Sequence, residues 1–173
     1  MKASVFVGTS LDGFLARLDG AFDFLPAGGG EPHGYDEFMA TVDALIIGRN
    51  TYETVLSLGE WPYGDKLTVV LSTHPLAPAP VGAVVEQMSG LPTEIASQLT
   101  RRGIQHAYVD GGITIQRFLE ARLIQRITIT RVPVLIGSGI PLFGAIPHDI
   151  QLKHIATHEY AGGLVKSEYE VAG

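Results

Sequence analysis

The chain has 173 residues, a formal net charge of −6, 46% hydrophobic and 17% charged residues, and no cysteine. That length and apolar content suit one compact domain over residues 1–173, and the missing cysteines exclude disulfides and thiolate sites. The 12 Lys and Arg are scattered through the chain, so no electrostatic footprint for nucleic acid is present.

The start, MKASVFVGTSLDG, has an apolar run too short for a signal peptide or a spanning helix. A cytoplasmic protein without a membrane partner is expected. Ala3 to Gly8 reads as a buried strand that ends in the polar turn Thr9–Gly13. Phe14-Leu15-Ala16 returns to apolar character. From about Arg17 to Pro32 the sequence is irregular and glycine-rich, a length that suits either a flap over a site or a surface excursion. Tyr35, Phe38, Met39 and Val42 then recur at helical spacing. Asp36 and Glu37 fall in the first turn of that helix, where solvated carboxylates favour the helix dipole.

Asp43–Gly48 reads as a second buried strand, and Arg49-Asn50-Thr51 opens a helix directly behind it. Asn50 or Thr51 is placed to cap that helix, and Arg49 sets a cation beside its first amides. Trp61 reads as a packing residue. Lys66–Leu71 is a third strand ending in Ser72-Thr73-His74, Val81–Glu86 a fourth, and Pro92–Arg102 a helix with proline in its first turn and Gly103 behind it.

The stretch His106–Leu119 (HAYVDGGITIQRFL) repeats the earlier pattern: strand, Gly111-Gly112, helix. Glycines at such a junction allow a sharp turn and close approach of a ligand, and the first amides of the helix form an anion site. A glycine pair alone equally marks a plain strand end; two such junctions in one small chain favour function. Leu123–Leu135 is a long β-rich run, Ile136–Phe143 a third glycine-containing loop, and Gln151–Val171 a hairpin turning at Gly162-Gly163. The order implies an α/β fold of three layers: a mostly parallel central sheet, an antiparallel C-terminal hairpin and helices on both faces. Ligands in such sheets bind beyond the strands' carboxyl ends, where all three glycine junctions fall.

Of the six histidines, only His154 and His158 stand four apart. They lie in a predicted strand without a catalytic Glu between them, and no metal site is expected. Neither a Gly-x-Ser-x-Gly elbow, a Walker lysine nor Gly-x-Gly-x-x-Gly is present. Backbone anion sites, one placed arginine and few acid–base groups suit a phosphate-rich cofactor that carries the hard chemistry, as in hydride transfer.

Five segments in order, Ser10-Leu11-Asp12-Gly13-Phe14-Leu15-Ala16, Gly48-Arg49-Asn50-Thr51-Tyr52-Glu53, Val69-Val70-Leu71-Ser72-Thr73, Val109-Asp110-Gly111-Gly112 and Gly137-Ser138-Gly139-Ile140-Pro141-Leu142-Phe143, resemble the dihydrofolate reductase superfamily. Within it the chain looks most like the C-terminal reductase domain of the bifunctional riboflavin biosynthesis protein and its free-standing bacterial relatives. The resemblance implies an NADPH-dependent oxidoreductase acting on a small pterin- or pyrimidine-like heterocycle, imine or carbonyl compound. A 5-amino-6-(5-phosphoribosylamino)uracil reductase-like activity is the nearest model, and a homodimer is possible. By position, Gly48, Arg49, Asn50 and Thr51 would hold cofactor phosphates, with Arg49 near the 2′-phosphate. Leu71, Ser72 and Thr73 would line the adenosine, Gly111, Gly112, Ile113, Thr114 and Ile115 would offer amides to the pyrophosphate, and Leu15 and Ala16 would flank the nicotinamide. Asp12, Phe22 and Val109 would meet the substrate. Ile113 stands where dihydrofolate reductases often have a second arginine. For the acidic group on the first helix, an ungapped count lands on Pro32, which leaves Asp36 one turn later as the catalytic candidate. The other reading is a nucleotide-binding protein on the same fold without turnover.

Overall fold

The computed structural model describes residues 1–26 and 33–173. Its strands are β1 (Lys2–Ser10), β2 (Phe14–Ala16), β3 (Ala44–Gly48), β4 (Leu67–Leu71), β5 (Val84–Met88), β6 (His106–Asp110), β7 (Arg126–Val132), β8 (Ile140–Pro141), β9 (Leu152–Glu159) and β10 (Val165–Val171). The helices are α1 (Tyr35–Thr41), α2 (Arg49–Ser57), α3 (Pro92–Arg101) and α4 (Gly112–Glu120). Eight strands form one sheet in the order β5-β4-β3-β6-β1-β7-β10-β9. The pairs from β5 to β7 are parallel, while β10 runs antiparallel to both β7 and β9.

Side chains alternate across this sheet, so each strand serves two cores. On one face Val5, Val7, Ile46, Val69 and Val109 pack with Ile95 and Leu99 of α3 and Ile115 and Phe118 of α4. On the other Leu45, Ile47, Val70 and Tyr108 meet Met39 of α1 and Tyr52 and Val55 of α2. Each fully buried aliphatic side chain contributes roughly 1.5–3 kcal/mol to holding the layers together. The three-layer arrangement, the largely parallel sheet and the terminal hairpin agree with the sequence reading.

Several local expectations differ. Neither Asn50 nor Thr51 caps α2; Gly48 occupies the cap position and no side chain bonds the first turn. The predicted Leu123–Leu135 strand is confined to Arg126–Val132, because Val134 N–H turns back to the Val132 carbonyl and Pro133 has no amide to give. The fourth strand begins at Val84, after a turn at Gly82 with φ +84°. Unanticipated is a two-stranded sheet of β2 and β8. Gly139 lies where any Cβ would collide with the Ala16 carbonyl oxygen, so glycine permits this pairing. His154 and His158 are exposed on β9, and among the described residues no group of three metal-ligating side chains gathers anywhere. No described helix is long and apolar enough to cross a membrane.

Candidate active site

A cleft of about 1510 Å³ runs across the carboxyl ends of β4, β3, β6, β1 and β7. Its middle is built where β3 and β6, adjacent and parallel, each pass into a helix. The two junctions interlock. A Cβ on Gly111 would stand 2.7 Å from the Thr51 hydroxyl, and one on Gly48 would stand 3.1 Å from the Thr114 hydroxyl. Gly111 also adopts φ +96°, a conformation that favours glycine. Gly112 presses on β8, with the Pro141 carbonyl oxygen 2.8 Å from where its Cβ would lie.

Neither helix start is capped by a side chain. In α4, Ile115 N–H bonds the Gly111 carbonyl at 2.8 Å, and Gly111 N–H bonds the Asp110 carboxylate at 2.8 Å. The amides of Gly112, Ile113 and Thr114 therefore remain as its donors to the cleft, beside Arg49, Asn50 and Thr51 of α2. Arg49 is half-exposed, and its nearest carboxylate, Glu53, is 3.8 Å away, a loose helix-surface pair. A second guanidinium enters the same region. Arg117, one helical turn beyond Ile113, lines the cleft and donates to the Gly90 carbonyl at 3.1 Å. Its i+4 relation to Ile113 is the signal by which the sequence could have revealed it.

Other assigned positions divide clearly. Leu15, Ala16, Phe22, Leu71, Ser72 and Thr73 all line the cleft, with the Ser72 hydroxyl tied to His74 by a 2.8 Å bond to its carbonyl. Val109 does not reach it: the two-residue alternation of β6 buries Val109 under α4 and turns Tyr108 and Asp110 to the cleft. Ile115 is likewise a core residue with no exposure, its amide held within the helix. Asp12 ties two loops together, accepting from the Ser10 hydroxyl at 2.6 Å and from Gly137 N–H at 2.8 Å. Those bonds, the Ser10 one foremost, hold its carboxyl below the usual range. Asp36 is exposed on the first turn of α1 and lines no part of the cleft. The expected flap is described only to Pro26. Up to there it is an ordered loop, with Arg17 N–H on the Ala21 carbonyl at 2.7 Å and the Arg17 guanidinium on Asp23 at 2.7 Å. Gly28–Gly30 and Pro32 lie outside the described residues.

Among the described residues three carboxyl groups line the cleft, Asp19, Glu53 and Asp110, and of these Asp110 is the buried one. Burial raises its pKa against the lowering effect of its bonds to Gly111 N–H and Tyr108. Around it stand three phenols. Tyr108 donates to the Phe6 carbonyl at 2.8 Å, and its pKa is pushed far up, first by burial and then by Asp110. Burial, followed by the charges of Asp110 and Asp36, pushes Tyr35 up to about 12. Tyr63 is raised by burial and Asp110 in turn. The carboxylate stands immediately before Gly111-Gly112, at a strand's carboxyl end, and that position was its signal in the sequence.

Two strand–glycine–helix junctions with uncapped helix starts, two arginines and a buried carboxyl thus line one cleft on a dihydrofolate reductase-like fold. The chain belongs to the RibD C-terminal domain family, whose model matches residues 2–166. It is 33% identical over 175 residues to the "Uncharacterized protein YwjB" of Bacillus subtilis strain 168, with 97% of each chain covered. It is 35% identical to a crystal structure from Shewanella sp. PV-4, described as a candidate riboflavin biosynthesis protein, covering 100% of both chains with a TM-score of 0.92. The dihydrofolate reductase of Enterococcus faecalis, solved with NADP(H), shares the fold at 15% identity, with 99% of this chain and 97% of that one covered and a TM-score of 0.68.

Proposed function

We propose that the protein is an NADPH-dependent reductase that transfers a hydride to a small heterocyclic, imine or carbonyl substrate. The observation that carries this reading is the pair of uncapped helix starts, α2 and α4, opening side by side into one cleft. Their amides suit the pyrophosphate of a dinucleotide. Arg49 and Arg117 supply the cations that would distinguish a 2′-phosphate from a ribose hydroxyl. Leu71, Ser72 and Thr73 would take the adenosine, and Leu15, Ala16 and Gly112 the nicotinamide end.

NADPH, when bound, supplies the hydride. The residues of the chain do the rest. Leu15 and Phe22 would shield the ring edge, and Asp110, whose pKa burial raises, would serve as the proton source at the carboxyl end of β6. As a C=N or C=O carbon gains the hydride, its heteroatom takes the Asp110 proton, and solvent restores that proton afterwards.

Anaerobic mixing of the protein and NADPH with a panel of dihydropterins, aminouracils and cyclic imines tests the reading. Oxidation of NADPH in step with loss of one acceptor is the expected result. Tight NADPH binding with no acceptor reduced would favour the non-catalytic nucleotide-binding reading.

A further inference from the structure

The end of the cleft assigned above to the adenosine is a turn, Ser72-Thr73-His74, that leaves the carboxyl end of β4 and lines the cleft throughout. Exposed turns of this kind ordinarily change shape at little cost. This one is closed on itself and tied to its neighbours. The Ser72 hydroxyl donates to the His74 carbonyl at 2.8 Å and accepts from His74 N–H at 3.0 Å, while Ser72 N–H donates to the Met88 carbonyl of β5 at 3.0 Å. Further along, Tyr52, fully buried on α2, donates its hydroxyl to the Ala77 carbonyl at 2.9 Å.

A further tie comes from outside the cleft. Gln87 stands opposite Val70 in the β4–β5 register, one pair before the strands end, and it is not part of the cleft lining. Its side-chain amide donates to the Ser72 carbonyl at 2.9 Å and to the His74 carbonyl at 2.8 Å. Two carbonyls within reach of one atom assign that atom as the nitrogen, because only the NH2 end can donate twice. The consequence is electrostatic as well as geometric. A carbonyl oxygen is the negative end of its peptide dipole, and these two are held toward the edge strand, away from the space a phosphate would enter. A turn fixed in that state beforehand loses little entropy when a nucleotide arrives.

Resting on the cofactor reading above, we infer that Gln87 is a positioning residue of the nucleotide site. It acts through Ser72 and His74, turning their carbonyls from the cleft so that the turn accepts the phosphorylated ribose of the adenosine half. Arg49 and Arg117 supply the attraction for that phosphate, and Gln87 removes a repulsion.

Gln87→Met tests this on the full chain, since methionine keeps the length of the side chain and removes both donors. The probes are 2′,5′-ADP, which carries the phosphorylated adenosine without a nicotinamide and is followed by calorimetry, and NADPH, followed by nicotinamide fluorescence. The variant should bind each at least about fivefold more weakly, the worth of one net hydrogen bond. Its Tm and the emission maximum of saturating NADPH should match the wild type, because Gln87 is exposed on the edge strand β5 and other segments build the nicotinamide end. Unchanged affinity for 2′,5′-ADP would overturn the inference. So would weaker binding accompanied by a fall in Tm or a shifted emission, which would make Gln87 a general prop of the fold. If the wild type binds neither probe, the cofactor reading fails first, and the role of Gln87 falls with it.

Discussion

The cofactor half and the acceptor half of the cleft are made in different ways. The first is backbone: two strands end, two glycines turn, two helices begin, and the interlock of Gly48 with Thr114 and Gly111 with Thr51 holds the amides in place. The second is side chain: Phe6, Tyr35, Tyr63, Tyr108 and Asp110 come from four separate segments and meet only through the folded sheet. A backbone site tolerates many side chains but few extra atoms; a side-chain site is the reverse. Substitutions should therefore damage binding in one half and chemistry in the other.

The sharpest break is Asp110→Asn. It keeps the shape and the acceptor for Gly111 N–H but removes the transferable proton, so kcat should fall about 10²- to 10⁴-fold. NADPH affinity should stay within about twofold, since the missing group is a proton source and not a phosphate contact. In the wild-type protein kcat should decline as pH rises through the raised Asp110 pKa, and the Asn variant should lose that limb. A variant that retains its rate and its pH profile would remove Asp110 from the chemistry.

Gly111→Ala attacks the backbone half. Its Cβ would meet the Thr51 hydroxyl, and φ +96° is strained for alanine. A loss of about 1–3 kcal/mol in denaturant unfolding is expected, with weaker NADPH binding. A milder effect is expected for Arg117→Ala and Arg49→Ala: each should weaken NADPH by about tenfold while leaving NADH nearly unchanged, the size of a charge-assisted contact in a partly exposed site. An unchanged NADPH affinity in either variant would remove that arginine from the phosphate site.

The smallest effect lies at the opposite, amino-terminal end of the sheet. His106 meets the Ser4 hydroxyl through Nε2 at 2.8 Å and the Thr41 carbonyl through Nδ1 at 2.9 Å, and burial above all lowers its pKa. A lowered histidine pKa means that the unfolded chain takes up the proton first. Its contribution is therefore complete above about pH 6.5 and is lost as pH falls below that value. Asp110, raised, acts with the opposite sign: its contribution is complete below the unfolded carboxylate pKa and is lost as pH rises through the folded one. Comparing Tm of the wild type with His106→Gln from neutral pH down to about pH 5 isolates the histidine, and a smaller slope is expected in the variant. Equal slopes would mean that His106 titrates alike in the folded and unfolded chain.

The same contrast explains what the sequence disclosed. Strand–glycine–helix junctions are local, so the pattern around Gly48 and Gly111 could be read directly, as could the two cores from their alternation. Distant assembly could not. Asp36 looked suitable because it sits on the first helix, yet α1 turns that residue to solvent. Val109 was assigned to the substrate by the family resemblance, yet strand alternation gives the cleft to its neighbours, Tyr108 and Asp110. Asp12 anchors a loop through bonds to residues 136 and 137 that no local reading anticipates. The β2–β8 pair, which seats Leu15 beside Gly112, was hidden for the same reason.

In the proposed function, the two uncapped helix starts and their arginines form an NADP(H) site. Titration of the purified protein with NADPH and with NADH, followed by nicotinamide fluorescence and quenching of Trp61, tests it most directly. Saturable binding with NADPH preferred by at least about tenfold is predicted from the two guanidiniums. Failure to bind either nucleotide, or equal affinity for both, would contradict it.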